Sequence, residues 1–159
     1  RDRYLSGNKY IDPIDGSSFR KFLPYGYNNV RENALSPSTF SLERHRLLWL
    51  YLKNETDFFN KNLKVLHFAP EAAFLKKFKK LKNISYDTID LNSPLANIKA
   101  DICDLPLDDE SYDFILCNHV LEHVIDDKKA IQELYRVLKK DGIGIFQVPI
   151  NMTNKKTHL

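Results

Sequence analysis

The sequence predicts an α/β fold: a doubly wound, Rossmann-like parallel sheet with crossover helices, preceded by a small N-terminal hairpin element. Three observations predict it. From residue 63 onward, short apolar runs alternate with helical patterns about 10 to 15 residues long, the signature of strands joined by crossovers. The first 40 residues differ in texture, with three Gly, three Pro and seven aromatics and no sustained helical period. Finally, 159 residues, 43% of them hydrophobic, make one domain's worth of chain with enough core to need no disulfides. The expected organisation is a hairpin extension over residues 1–40 and a main α/β domain over 41–159.

Each element follows from local chemistry. Phe19–Pro24 and Val30–Leu35 read as short strands around the turn-rich Tyr25-Gly26-Tyr27-Asn28-Asn29. A helix begins near Ser41, which can cap it, and Leu47–Leu52 is apolar on every side, predicting burial all round. Leu63–Phe68 is a strand and Ala72–Leu81 a helix, whose lysines (Lys76, Lys77, Lys79, Lys80, Lys82) form a solvated face beside Phe74, Leu75, Phe78 and Leu81. Ile84–Ile89, Ile98–Ile102 and Tyr112–Cys117 are strands. Asp127–Lys140 is a helix with Ala130, Ile131, Leu134, Val137 and Leu138 on one face, capped by Asp126 and leaving at Gly142. Ile143–Val148 is the last strand, followed by a polar tail from Asn151 to Leu159. With about five strands, a doubly wound domain ending there lacks its C-terminal edge, so the chain is expected to be C-terminally incomplete.

Composition excludes several function classes. A net charge of +3, concentrated in residues 1–62, is too small to argue for nucleic acid. No apolar run approaches the roughly 20 residues needed to span a bilayer, and Arg1-Asp2-Arg3 does not open a signal peptide. The two cysteines, Cys103 and Cys117, sit in apolar stretches, which suits a reducing compartment and supplies no metal site. A cytoplasmic protein is the expectation.

Ligands of open parallel sheets bind beyond the C-terminal ends of the strands, at the switch in strand order. The first strand is followed by Ala69-Pro70-Glu71-Ala72-Ala73, a loop without the glycines that let a backbone approach a nucleotide closely. The second is followed by Asp90-Leu91, where an acid can accept from both hydroxyls of a ribose. Next come Asp101 and Ile102, a pair able to hold adenine by a carboxylate and a backbone amide. Asn118-His119-Val120-Leu121-Glu122-His123 follows the fourth strand. His119 faces the predicted pocket, whereas His123 suits a structural hydrogen bond and His45 packing. Asp104, Asp108 and His123 do not have the spacing of a metal site, and none is expected.

Ser111 to His123, then Glu133-Leu134-Tyr135-Arg136-Val137-Leu138-Lys139-Lys140-Asp141-Gly142, resemble the class I S-adenosylmethionine-dependent methyltransferases of the small-molecule, "type 11" branch, over roughly residues 60–150. The resemblance implies S-adenosylmethionine as cofactor. Asp90 and Leu91 would hold its ribose, Asp101 and Ile102 its adenine, and Ala69, Pro70 and Glu71 its methionine part. Asn118 and His119 would line the cofactor and the acceptor pocket, with His119 the candidate catalytic group. The acceptor is expected to be a small molecule, with neither nucleic acid nor membrane as partner and with homo-oligomerisation open. The departure is the first loop: the family usually has an acid and three spaced glycines where this chain has His67, Ala69, Glu71 and Ala73. A related subgroup carries His-x-Ala-Pro-Glu. The competing reading is a binding or scaffold protein that keeps the fold without methyl transfer.

Asp12-x-x-Asp15 and Ser36-x-x-Thr39 bracket the hairpin with 20 residues between the inner members, a layout that resembles a zinc ribbon. In related methyltransferases sharing Leu42-Glu43-Arg44-His45-Arg46 these four positions are usually cysteines. Ser and Thr are poor zinc ligands, so a ribbon without its metal, held by aromatics such as Phe19, Phe22 and Tyr25, is expected, the alternative being an ordinary loop-and-hairpin extension.

Overall fold

A computed structural model describes residues 4–150, so the tail from Asn151 lies outside the described residues. The chain divides into two compact units. One comprises the residues up to 61 together with 71–83; the other comprises 62–70 and the residues from 84 onward.

The first unit opens with two antiparallel pairs. Strand β1 (Ser6–Ile11) pairs with β2 (Ser18–Phe19), and β3 (Leu23–Tyr25) with β4 (Arg31–Leu35). The predicted hairpin is therefore present, but Phe19 pairs with β1 rather than extending β3. Gly26 has φ +134°, and a Cβ there would sit 2.2 Å from the Asn29 carbonyl oxygen, so only glycine fits the turn. Phe22 packs between Tyr10 and Phe19, at ring separations of 5.5 and 6.0 Å, with the Arg46 guanidinium 4.7 Å from its ring.

Helix α1 (Glu43–Asn54) has Leu42 as its N-cap and not the expected Ser41, whose hydroxyl is turned to Asp12. Its burial is confined to one stripe, His45, Leu48 and Leu52. Leu47, Leu50 and Tyr51 are exposed, which corrects the expectation of a helix buried all round. Trp49 stacks on Phe78 of helix α2 (Ala72–Phe78), and Phe58 and Phe74 pack on the same ring. The lysines at 76, 79, 80 and 82 are exposed as the pattern required.

The second unit is a five-stranded sheet in the order β7-β6-β5-β8-β9, parallel throughout. The strands are β5 (Leu63–Phe68), β6 (Ile84–Asp90), β7 (Ile98–Lys99), β8 (Tyr112–Asn118) and β9 (Leu138–Gln147). The central strands are the most apolar: Val65 through Phe68 and Phe114 through Asn118 are buried, as a strand covered on both faces requires. Helix α3 (Asp127–Val137) places Ala130, Leu134 and Val137 in a core with Leu66, Ile89, Tyr112 and Ile115. Asp126 caps it by accepting from the Lys129 amide at 3.0 Å.

This helix ends three residues before the expected Lys140. Leu138 is already extended, paired with Tyr112 in β9, so Gly142 lies inside a strand and is no helix exit. Arg136 fastens the helix's end to the loop before β8, donating to the Leu105 and Leu107 carbonyls and to Asp109. Arg136 together with the Leu105 amide holds the Glu133 carboxyl down at about 2.

Candidate functional site

Strand order reverses between β5 and β8: the chain steps outward from β5 to β6 and β7, then returns to the other side of β5 for β8 and β9. Parallel strands aim their C-terminal ends the same way, so this reversal leaves a crevice beyond Phe68 and Asn118. A cavity of about 550 Å³ lies there, within the usual range for small-ligand sites. Its wall includes Ala69, Asp90, Leu91, Asp101, Ile102 and His119, six of the nine residues singled out from the sequence.

Ala69, Asp90, Leu91 and His119 sit where their strands end, whereas β7 stops at Lys99, short of the expected Ile102, so that Asp101 and Ile102 lie in the turn beyond it, with Asp101 bridged to Asp104. The Asp90 Oδ1 accepts from the Asn92 and Ser93 amides at 2.8 and 2.7 Å, which fixes the carboxylate at the end of β6. The Asp101 Oδ1 accepts from the Cys103 amide at 2.8 Å in the same manner. A carboxylate has about four acceptor positions over two oxygens, so each turn-capping acid keeps capacity for a ligand's donors. Ile102 is buried and offers an apolar wall beside Asp101.

Ala69 has φ +46°, the left-handed conformation for which glycine is the usual choice. The loop therefore turns as a glycine loop would, at a strain of roughly 1–2 kcal/mol. Its donors are scarce, however. The Ala69 amide is bonded to the Ile89 carbonyl at 2.9 Å, and Pro70 has no amide hydrogen.

The remaining three singled-out residues are placed otherwise. Pro70 and Asn118 are buried and stand just behind lining residues in the chain. Glu71 belongs to the first unit, where it is the cap position of α2. Its carboxylate meets the His45 Nε2 at 2.7 Å and the Arg44 Nε at 3.7 Å. His45 is buried, packs edge-on against Phe74, and uses Nδ1 to accept the Leu42 amide at 3.0 Å. Its hydrogen is therefore on Nε2 and is donated to Glu71. This tie across 26 residues of chain has no local signal in the sequence.

The cavity also takes residues that sequence reasoning passed over, among them Cys103, Val124, Ile125 and Asp126, together with His123, read from the sequence as structural. A cue was available for the last group: they follow the fourth strand directly, before the Asp126 cap. No Lys or Arg lines the cavity among the described residues. Cys117 is pushed up to about 12 by burial and by the Glu122 charge, so it is a packed thiol and not a nucleophile.

At the N-terminus, Asp12, Ser36 and Thr39 come together. The buried Asp12 carboxylate accepts from the Thr39 hydroxyl at 2.5 Å, the Ser41 hydroxyl at 3.2 Å and the Ile14 amide at 2.9 Å. Asp15 instead turns to Ser17. Among the described residues there is no cluster of three or more metal-ligating side chains, and no helix is long and apolar enough to cross a membrane.

Residues 53–146 match the family described as "Methyltransferase domain". A demethylmenaquinone methyltransferase of Chlamydia caviae is 32% identical over 68 residues, 42% of this chain. The first curated relatives are covered over only 15% and 30% of their own length. Among solved structures, a methyltransferase-fold protein from Galdieria sulphuraria aligns over 67% of this chain and 46% of its own, with a TM-score of 0.57 at 24% identity. The [4+2]-cyclase SpnF aligns over 68% and 46%, with a TM-score of 0.56 at 17% identity. At such identities the structural likeness speaks for the fold alone.

Proposed function

Because the chain belongs to the methyltransferase-domain family, whose cofactor is S-adenosylmethionine, we propose that it transfers a methyl group to a small-molecule acceptor at the cavity between β5 and β8. The observation that carries this reading is the meeting of Asp90, Asp101 and His119 on one cavity wall at the switch point. When bound, the cofactor supplies an electrophilic methyl on a sulfonium.

The residues divide the work of holding it. Asp90 would accept from the ribose hydroxyls, Asp101 from the adenine amine, and Leu91 and Ile102 would flank the rings. The backbone of the left-handed turn at Ala69 would stand beside the methionine part. His119 would take a proton from an acceptor that carries one, and alignment of the reactants supplies much of the remaining rate. Asp90, Asp101 and Asp126 line the cavity without a facing cation among the described residues, which favours an uncharged or cationic acceptor over an anionic one.

Titration calorimetry with S-adenosylmethionine and S-adenosylhomocysteine tests the reading: micromolar binding supports it. The second reading, a binding or scaffold protein, is favoured by the donor-poor loop at Ala69-Pro70. Absence of binding at millimolar ligand, with the protein folded, would decide for it. The N-terminal element we read as a ribbon whose knuckles are closed on the Asp12 carboxylate instead of a metal. Elemental analysis should then find no stoichiometric zinc; one zinc per chain would overturn this.

A further inference from the structure

His119 follows β8 with its backbone at φ +56°, a left-handed conformation that residues with a side chain rarely adopt. Its amide donates to the Gln147 carbonyl of β9 at 2.8 Å, so the strained turn is held from the neighbouring strand. The result is a ring placed at the cavity wall beside Val120 and His123. Three residues on, in the 3₁₀ turn Leu121–His123, the Glu122 Oε1 lies 3.2 Å from the His119 Nδ1.

The chemistry of that contact fixes the ring's hydrogen. An ionised carboxylate only accepts, so the hydrogen between the two groups belongs to His119 and sits on Nδ1. A neutral imidazole carries one hydrogen, which leaves Nε2 as the lone-pair nitrogen. We infer that Glu122 is a positioning residue for His119, holding the tautomer in which Nε2 can accept a proton at the cavity.

The inference rests on the methyl-transfer reading and sharpens it. An acceptor O–H or N–H gives its proton to the His119 Nε2. The electron pair of the broken bond stays on the acceptor atom, which becomes the better nucleophile. The imidazolium formed lies against the Glu122 carboxylate, and its proton leaves to water. The pair is partly exposed, so its role lies in orienting the ring and not in stabilising the fold.

Long-range proton–nitrogen correlation spectra of the ¹⁵N-labelled protein, taken where the imidazole is neutral, test this directly. In the wild type the His119 Nδ1 should give the signature of a protonated nitrogen and Nε2 that of a lone-pair nitrogen. Glu122→Ala should lose that preference, and Glu122→Asp, whose shorter side chain keeps an acceptor-only carboxylate, should keep more of it. A wild-type hydrogen on Nε2, or an unchanged tautomer in Glu122→Ala, would overturn the assignment. If the alanine variant proves unfolded by circular dichroism, the wild-type tautomer decides alone. Titration of the wild type with S-adenosylmethionine separates the two layers. No binding with the expected tautomer removes the methyl-transfer reading and the proton role with it. Binding with the wrong tautomer removes only Glu122.

Discussion

Asp90 and Asp101 each brace a turn with one carboxylate oxygen while standing on the wall of the cavity. The two roles make a sharp expectation: Asp90→Ala and Asp101→Ala should each weaken S-adenosylmethionine binding by about 1–3 kcal/mol, a factor of roughly 5 to 150. Calorimetric titration reads this, and unchanged affinity in both would remove the nucleoside assignment. Asp12 is the other informative acid. Burial pushes its carboxyl up, but bonds from Ser36, Thr39, the Ile14 amide and Ser41 outweigh it and hold it below the ordinary 3.8. A carboxyl depressed by folding adds stability that is present above its unfolded value and lost as pH falls through the folded one. Stability should therefore drop below about pH 4 in the wild type, and Asp12→Asn, which has no charge to titrate, should show a flatter acid limb. Urea midpoints from pH 7 down to pH 3 would show the difference.

Elements here are stopped and turned by their surroundings more than by propensity. The turn between β3 and β4 depends on Gly26, where an added Cβ would collide with the Asn29 carbonyl. Gly26→Ala should cost about 1–3 kcal/mol, from strain and displaced backbone. Gly16 also has positive φ, at +74°, but nothing lies within 4 Å of an added Cβ. Gly16→Ala should cost clearly less, and chemical denaturation of the two variants side by side tests the distinction. At the other end of the chain, α3 runs straight into β9 because Leu138 pairs with Tyr112. A cross-strand partner took residues that helical periodicity alone would have kept.

For the molecule as a whole, the sheet's order matters more than any single contact. Placing β5 and β8 side by side at the centre brings together residues 68–69, 90–91, 101–103, 119–120 and 123–126, which no local segment contains. That arrangement stands on the core under α3. Leu134 is nearly fully buried among Leu66, Ile89, Tyr112 and Ile115. Leu134→Ala should destabilise the fold by about 2–5 kcal/mol, from lost apolar transfer and the cavity left behind. Thermal or urea unfolding checks this, and a loss under 1 kcal/mol would mean the site collapses freely or is not core.

From residue 63 onward the order of strands and helices was legible in the sequence, because buried parallel strands must be apolar on both faces and crossover helices on one, whereas β1 was not expected. So were the positions of Asp90 and His119 close to the ends of strands, because a strand's end is where its apolar pattern stops. Three things were not legible, and each depends on partners distant in sequence. His45 pairs with Glu71 across 26 residues, and Asp12 gathers Thr39 and Ser41 from 27 and 29 residues away. The hydrogen on His119 is set by a carboxylate three residues on, but only once the 3₁₀ turn brings it round. Periodicity reports which face of an element is buried. It carries no information about which polar atoms meet across the packed elements, such as the Thr39 and Ser41 hydroxyls on the Asp12 carboxylate or the His45 ring on Glu71.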